Sequence, residues 1–126
     1  MSVLYYTDLD VWKKSMDLAV AVYEKVKLLP KEEIYALSDQ MRRAVVSIPS
    51  NIAEGQQRNS TKDFIRFLFV AKGSLSELET QVMLCERLNY FKKTDTEDLL
   101  SKCSEIGRML NGLIYRLNCK LNENNG

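Results

Sequence analysis

The chain has 126 residues, 45% apolar and 28% charged, with a formal net charge of +1 and no histidine. That length makes one domain whose core needs neither a metal nor disulfides. The charge balance excludes a strong overall nucleic-acid field, and two prolines with five glycines are too few for a turn-rich β protein.

The start, MSVLYYTDLDVWKK, lacks the charged and apolar regions of a secretory leader. No stretch approaches the roughly 20 apolar residues of a membrane span. Three widely spaced cysteines, Cys85, Cys103 and Cys119, suit a reducing compartment better than a disulfide framework. A cytoplasmic protein is expected.

The first helix is expected from about Asp8 to Leu28, with Trp12, Met16, Ala19, Tyr23 and Val26 as one stripe and Val11, Leu18, Val22 and Leu29 as a second. Leu29-Pro30 ends it, and Pro30 opens a second helix over roughly Lys31 to Gln56. The stripe there is Ile34, Leu37, Met41, Ala44, Ile48 and Ile52. It passes through Pro49, which costs a helix interior about 3 kcal/mol. A fresh start at Pro49 would leave Ile48 as a poor N-cap, so a continuous helix kinked at Pro49 is expected. Ser47, Ser50 and Asn51 supply polar groups around that kink.

Ser60 with Asp63 resembles a capping box opening a third helix that ends near Leu88. Its stripe is Phe64, Leu68, Ala71, Leu75, Leu78, Val82 and Cys85. Thr94 with Glu97 offers a box for a fourth helix, carrying Leu99, Cys103, Ile106, Leu110, Leu113 and Leu117. This 3.5-residue rhythm is that of helices packed with a left-handed supercoil. Short connections then predict an all-α, antiparallel up-down-up-down four-helix bundle over residues 1–121, with a disordered polar tail at 122–126. The second apolar line of helix one, and Ile65, Phe67, Phe69 and Val70 on helix three, exceed what one core-facing stripe needs. A homo-oligomer accounts for them better than a monomer.

No catalytic set stands out. Without histidine the commonest neutral-pH base and zinc ligand are gone. Cys85 and Cys103 sit on core stripes, and Cys119 lies near an exposed helix end. Glu77 and Glu79 are two apart and point to different faces, with ion pairing to Arg42 or Arg43 across helices two and three expected. Gly73, Gly107 and Gly112 are isolated and read as close helix approaches, not as a phosphate loop. No enzyme, metal, cofactor or small-molecule substrate is expected. The positive signal is cationic. Arg108, Arg116 and Lys120 share one face, and Ile106 to Leu121 contains no acid. Arg58, Lys62 and Arg66 make a second cluster. Either can neutralise phosphates, with Tyr115 available for stacking, although cations late in a helix also complement its dipole.

The runs RRAVVSIPSNIAEG, Arg42 to Gly55, and GSLSELETQ, Gly73 to Gln81, resemble the small bacterial 23S rRNA intervening-sequence proteins. Val11-Trp12-Lys13, Leu29-Pro30 and Glu33 to Leu37 also fit that pattern, with Ala36 where members often have glycine. The resemblance marks Arg42, Arg43, Ser47, Pro49, Asn51, Glu54, Gly55, Gly73, Glu77 and Glu79 as family-motif structural positions. It implies a four-helix bundle assembling as a ring-like homopentamer, with a link to ribosomal RNA genes. Retroelement accessory proteins are similar in fold. The expected function is therefore a non-enzymatic oligomer binding ribosomal RNA or a ribonucleoprotein. A protein-interaction scaffold or accessory ring, without nucleic-acid contact, is the alternative.

Overall fold

The computed structural model describes residues 5–125, and their side chains as far as residue 123. It is an all-α four-helix bundle: α1 is Asp10–Lys25, α2 Leu37–Gln56, α3 Thr61–Arg87 and α4 Lys93–Asn125. Short 3-10 turns at Tyr6–Asp8, Val26–Leu28 and Lys31–Glu33 fill the connections. Each helix packs on its neighbour in the chain, and α1 closes the bundle on α4. Contacts pair Gly55 with Phe67, Ser47 with Ser74 and Met41 with Cys85, so α2 and α3 run antiparallel. Lys25 with Asp95 and Lys14 with Glu105 set the same relation between α1 and α4. No helix among the described residues is long and apolar enough to cross a membrane.

The stripes of α3 and α4 are buried as their rhythm predicts, from Leu68 through Cys85 and from Leu99 through Leu110. On α1 the line Val11, Leu18 and Val22 enters the core, completed by Ser15. Ser15 is tolerated there because its hydroxyl donates to the Val11 carbonyl at 2.7 Å. The other line is divided: Val26 is buried, Trp12 and Ala19 pack half-buried against the core, and Met16 and Tyr23 are exposed. Helix two starts later than its periodicity suggests. Pro30 leads into a 3-10 turn instead of an α-helix, and Ile34 is exposed. Glu33 then closes the break, accepting from the Leu37 N–H at 3.4 Å and from the Tyr90 hydroxyl at 2.8 Å. From Leu37 the helix runs through Pro49, whose ring is buried, to Gln56.

The cap of α4 also differs from expectation. Lys92 stands at the N-cap, and its N–H donates to Asp95 at 3.0 Å, so Asp95 serves where Glu97 was expected. Between α3 and α4, Asn89 adopts φ 64°, the left-handed cap that asparagine accepts readily. The helix of α4 continues past Asn122 to Asn125; Gly126 lies outside the described residues.

Candidate nucleic-acid interface

Helix α4 carries Ile114 into the core, and beyond it, among the described residues, only Leu117 and Leu121 remain half-buried. Arg108, Arg116 and Lys120 lie along its exposed side at multiples of four, with Gly112 between them. The Arg108 guanidinium donates to the Ser104 hydroxyl at 2.8 Å. Arg116 folds back over Gly112, where its Nη1 lies 3.5 Å from the position a Cβ would occupy. None of the three cations forms an ion pair among the described residues. Tyr115 stands next to Arg116 and is 70% exposed.

An open groove of about 670 Å³ runs between this part of α4 and the start of α1. Leu9, Val11, Met109 and Leu113 form its apolar floor, with Arg108 and Arg116 on one side. Asp8, Asp10 and Glu105 also line it. These acids are invisible as neighbours in the linear sequence, because only the α1–α4 packing brings them to the cations. They make the stripe mixed in charge where Arg108 and Arg116 line the groove, whereas Lys120 lies outside that lining.

The second cluster is more self-contained. Arg58 and Arg66 lie over the ring of Phe67, their guanidinium carbons 4.8 and 4.6 Å from its centroid. Arg58 also pairs with Glu54 at 3.0 Å, and Arg66 with Asp63 at 3.6 Å. Lys62 is exposed beside them. Phe67 is buried against Gly55, so this aromatic serves the α2–α3 contact within one chain instead of a subunit contact.

The motif residues divide between the helix seam and the surface. Ser47 Oγ lies 2.9 Å from Ser74 Oγ, and the Asn51 amide donates to the Ser47 carbonyl and hydroxyl at 2.8 and 2.9 Å. A half-buried polar cluster, with Ser47 and Asn51 each two residues from Pro49, thus joins α2 to α3. The expected ion pairs of Arg42 or Arg43 with Glu77 or Glu79 do not form. Arg43 reaches Asp39 one turn back at 3.2 Å, and Arg42 donates to the Ile34 carbonyl at 3.2 Å. Glu77 instead accepts from Gln81 at 3.3 Å. For Arg43 and Glu77 the partners lie at i,i+4, a geometry that orders fewer rotamers than a reach across helices.

The glycines also redistribute. A Cβ on Gly55 would sit 2.6 Å from Phe67 Cβ, so the close approach is there. Gly107 has ordinary contact with Leu75 at 3.5 Å, Gly112 meets only Arg116, and Gly73 meets nothing within 4 Å. Burial pushes the Cys85 thiol up to about 11 and the Cys103 thiol up to about 12, with Glu33 and Glu79 adding to the respective shifts. Neither is a nucleophile near neutral pH. Among the described residues no group of three or more Cys, Asp or Glu side chains is placed to hold a metal ion.

No curated protein matches the chain. A solved structure of a protein with unknown function from the S23 ribosomal protein family of Bacteroides thetaiotaomicron is similar, at 31% identity and a TM-score of 0.77. The similarity covers 83% of this chain and 95% of that one. Residues 7–112 match the family described as 23S rRNA-intervening sequence protein. With that match spanning most of the bundle, the chain belongs to the 23S rRNA-intervening sequence protein family.

Proposed function

We propose that this chain is a non-catalytic, self-associating bundle that engages RNA, free or within a ribonucleoprotein, through the second half of α4. The observation that carries the reading is the set of exposed cations Arg108, Arg116 and Lys120, none in an ion pair among the described residues, beside the exposed ring of Tyr115. Surface cations already paired with acids gain little from a phosphate, whereas free ones release counterions on binding. Arg116 and Lys120 neutralise phosphates and set position without reading sequence, and Tyr115 stacks on an unpaired base. The acids Asp8, Asp10 and Glu105 repel phosphates from the groove that Arg108 and Arg116 line and direct the strand towards Lys120, outside it. Arg58, Lys62 and Arg66 are a secondary surface, weakened by Glu54 and Asp63.

Gel-shift titrations with ribosomal RNA fragments at two salt concentrations test this. Affinity is expected to fall steeply with salt, with a slope of roughly 0.7 per phosphate contacted on single strands. Reversing Arg116 and Lys120 to glutamate is expected to flatten that slope. Absence of binding at low salt, or binding indifferent to the reversal, refutes the RNA reading. A protein-interaction scaffold without RNA contact is the second reading, favoured by the exposed Met16, Val20, Phe69 and Val70. It takes over if the protein associates with itself but not with RNA. The family resemblance carries a ring of five, and sedimentation at micromolar concentration should then show a species well above 14.5 kDa.

A further inference from the structure

Helix α2 begins without a side-chain cap, because Ala36 stands at its N-cap and has no oxygen to offer. Glu33 takes the Leu37 N–H, but the N–H groups of Ser38 and Asp39 have no acceptor among the described residues. Ser38 is only 3% exposed, and its hydroxyl also lacks a hydrogen-bond partner among those residues. A buried hydroxyl and two helix-terminal N–H groups left unmatched are costly within one chain.

The small part of Ser38 that is exposed lines an open groove of about 500 Å³ between the end of α1 and the start of α2. Three cations, Lys27, Lys31 and Arg42, line the same groove, and no acid does. Arg42 runs back along α2, and its guanidinium donates to the Ile34 carbonyl at 3.2 Å. Its charge thus sits at the positive end of the helix dipole, where a cation is disfavoured and an anion favoured. Neither Lys31 nor Arg42 forms an ion pair among the described residues. Lys27 pairs with Glu24 at 3.2 Å, with both side chains mostly exposed. The other nearby acids are held by other groups, Glu33 by the Leu37 N–H and the Tyr90 hydroxyl, and Asp39 by Arg43. Glu32 is exposed on the 3-10 turn, outside the groove lining. The groove is larger than one phosphate group, and the half-exposed ring of Tyr23 forms part of its apolar wall with Ile34. Tyr23 and Arg42 also border a second opening of about 360 Å³, which leaves room for a ligand larger than a bare anion.

We propose that this groove binds a nucleotide through its phosphate. The phosphate oxygens accept from the Ser38 and Asp39 N–H groups, the Ser38 hydroxyl and Arg42, while Lys31 and Lys27 add charge from the rim. The base stacks on Tyr23. A free nucleotide and the phosphorylated end of an RNA strand both carry this chemistry. The site lies at the opposite end of the bundle from Arg116 and Lys120, because α1 and α4 run antiparallel from Lys25–Asp95 to Lys14–Glu105. It is therefore independent of the RNA surface on α4.

Calorimetric titration of the full chain with AMP, adenosine and inorganic phosphate tests the assignment. The titrations use the Arg116→Glu and Lys120→Glu background, which silences the α4 stripe. AMP should bind, and adenosine and inorganic phosphate should each bind about tenfold or more weakly. Lys31→Gln, at an exposed position, and Arg42→Gln should each weaken AMP binding about fivefold or more. Circular dichroism checks that both variants keep their helices. In amide NMR spectra, AMP should shift the signals of Ser38 and Asp39. A terminally phosphorylated oligoribonucleotide that outbinds AMP, and loses that gain without its phosphate, identifies an RNA end as the ligand. One that binds no better than AMP identifies the free nucleotide. Absence of AMP binding, or adenosine or phosphate binding as tightly as AMP, overturns the site. So does AMP binding indifferent to Lys31→Gln and Arg42→Gln, or shifts that leave Ser38 and Asp39 unmoved.

Discussion

The Lys25 ammonium at the end of α1 lies 2.7 Å from one carboxylate oxygen of Asp95 at the start of α4. The other oxygen accepts the Lys92 N–H, so one side chain both caps α4 and fastens it to α1. The hydrogen bond from Lys25, followed by that from the Lys92 backbone, holds the Asp95 carboxyl below its ordinary 3.8. Asp95 in return raises Lys25 above its ordinary 10.5. Side-chain exposures of 28% and 16% make this the least solvent-screened ion pair among the described residues.

Replacing Asp95 with alanine should therefore cost about 1–2 kcal/mol near neutral pH, from a lost cap contact and a lost ion pair. A depressed carboxylate pKa contributes stability above the ordinary value of 3.8, lost as pH falls through the folded value. The raised Lys25 contributes below its ordinary 10.5 and loses that contribution as pH rises through its folded value. Urea unfolding of wild type and Asp95→Ala should differ near neutral pH and converge well below 3.8. A gap unchanged by acid would remove Asp95 as its source.

Gly55→Ala should destabilise the bundle. The new methyl meets Phe67 Cβ at 2.6 Å, and that atom cannot swing aside because it is fixed to the α3 backbone. Overpacking of this kind costs about 1–3 kcal/mol, and the helix preference of alanine returns about 1. A contact as short as 2.6 Å puts the cost at the upper end of that range, so a net loss of about 2 kcal/mol is expected in chemical denaturation. A neutral result would mean that α2 and α3 separate freely at this point.

The α3 and α4 stripes were legible because their 3.5-residue rhythm has a single apolar solution, from Leu68 to Cys85 and from Leu99 to Leu110. Helix one offered two apolar lines, and periodicity alone does not rank them. The decisive residue is Ser15, which counts as polar in a pattern yet is buried with its hydroxyl bonded to its own helix. The start of helix two was obscured by the apolar Ile34, which extends the stripe in sequence but is exposed beside the 3-10 turn. At the candidate interface the cations of α4 are visible as charge along one helix. Their acidic neighbours Asp8 and Asp10 come from the other end of the chain, and only tertiary packing brings them together.

Pro49→Ala should be nearly neutral, although the position lies inside α2. Alanine recovers about 3 kcal/mol of helix propensity. It gives up two buried methylenes at about 0.8 kcal/mol each, and it loosens the unfolded chain by up to about 1 kcal/mol. These effects cancel to within about 1 kcal/mol. A stabilisation near 3 kcal/mol in urea unfolding would show that the proline ring contributes nothing to the packing of α2.

The three cysteines should separate cleanly by reactivity. Cys85 and Cys103 are buried, and burial pushes their thiols up to about 11 and about 12, so almost no thiolate forms near neutral pH. Cys119 is exposed on α4, one turn from Tyr115. Iodoacetamide applied to the folded protein should label Cys119 alone, and all three should react after denaturation. Binding of RNA across Arg116 and Lys120 should slow that single modification, because Cys119 adjoins Lys120. Protection that vanishes in the Arg116→Glu and Lys120→Glu double variant would tie the effect to the cationic stripe. Rapid labelling of Cys85 or Cys103 in the folded chain would instead show that the α3–α4 core opens on the timescale of the reaction.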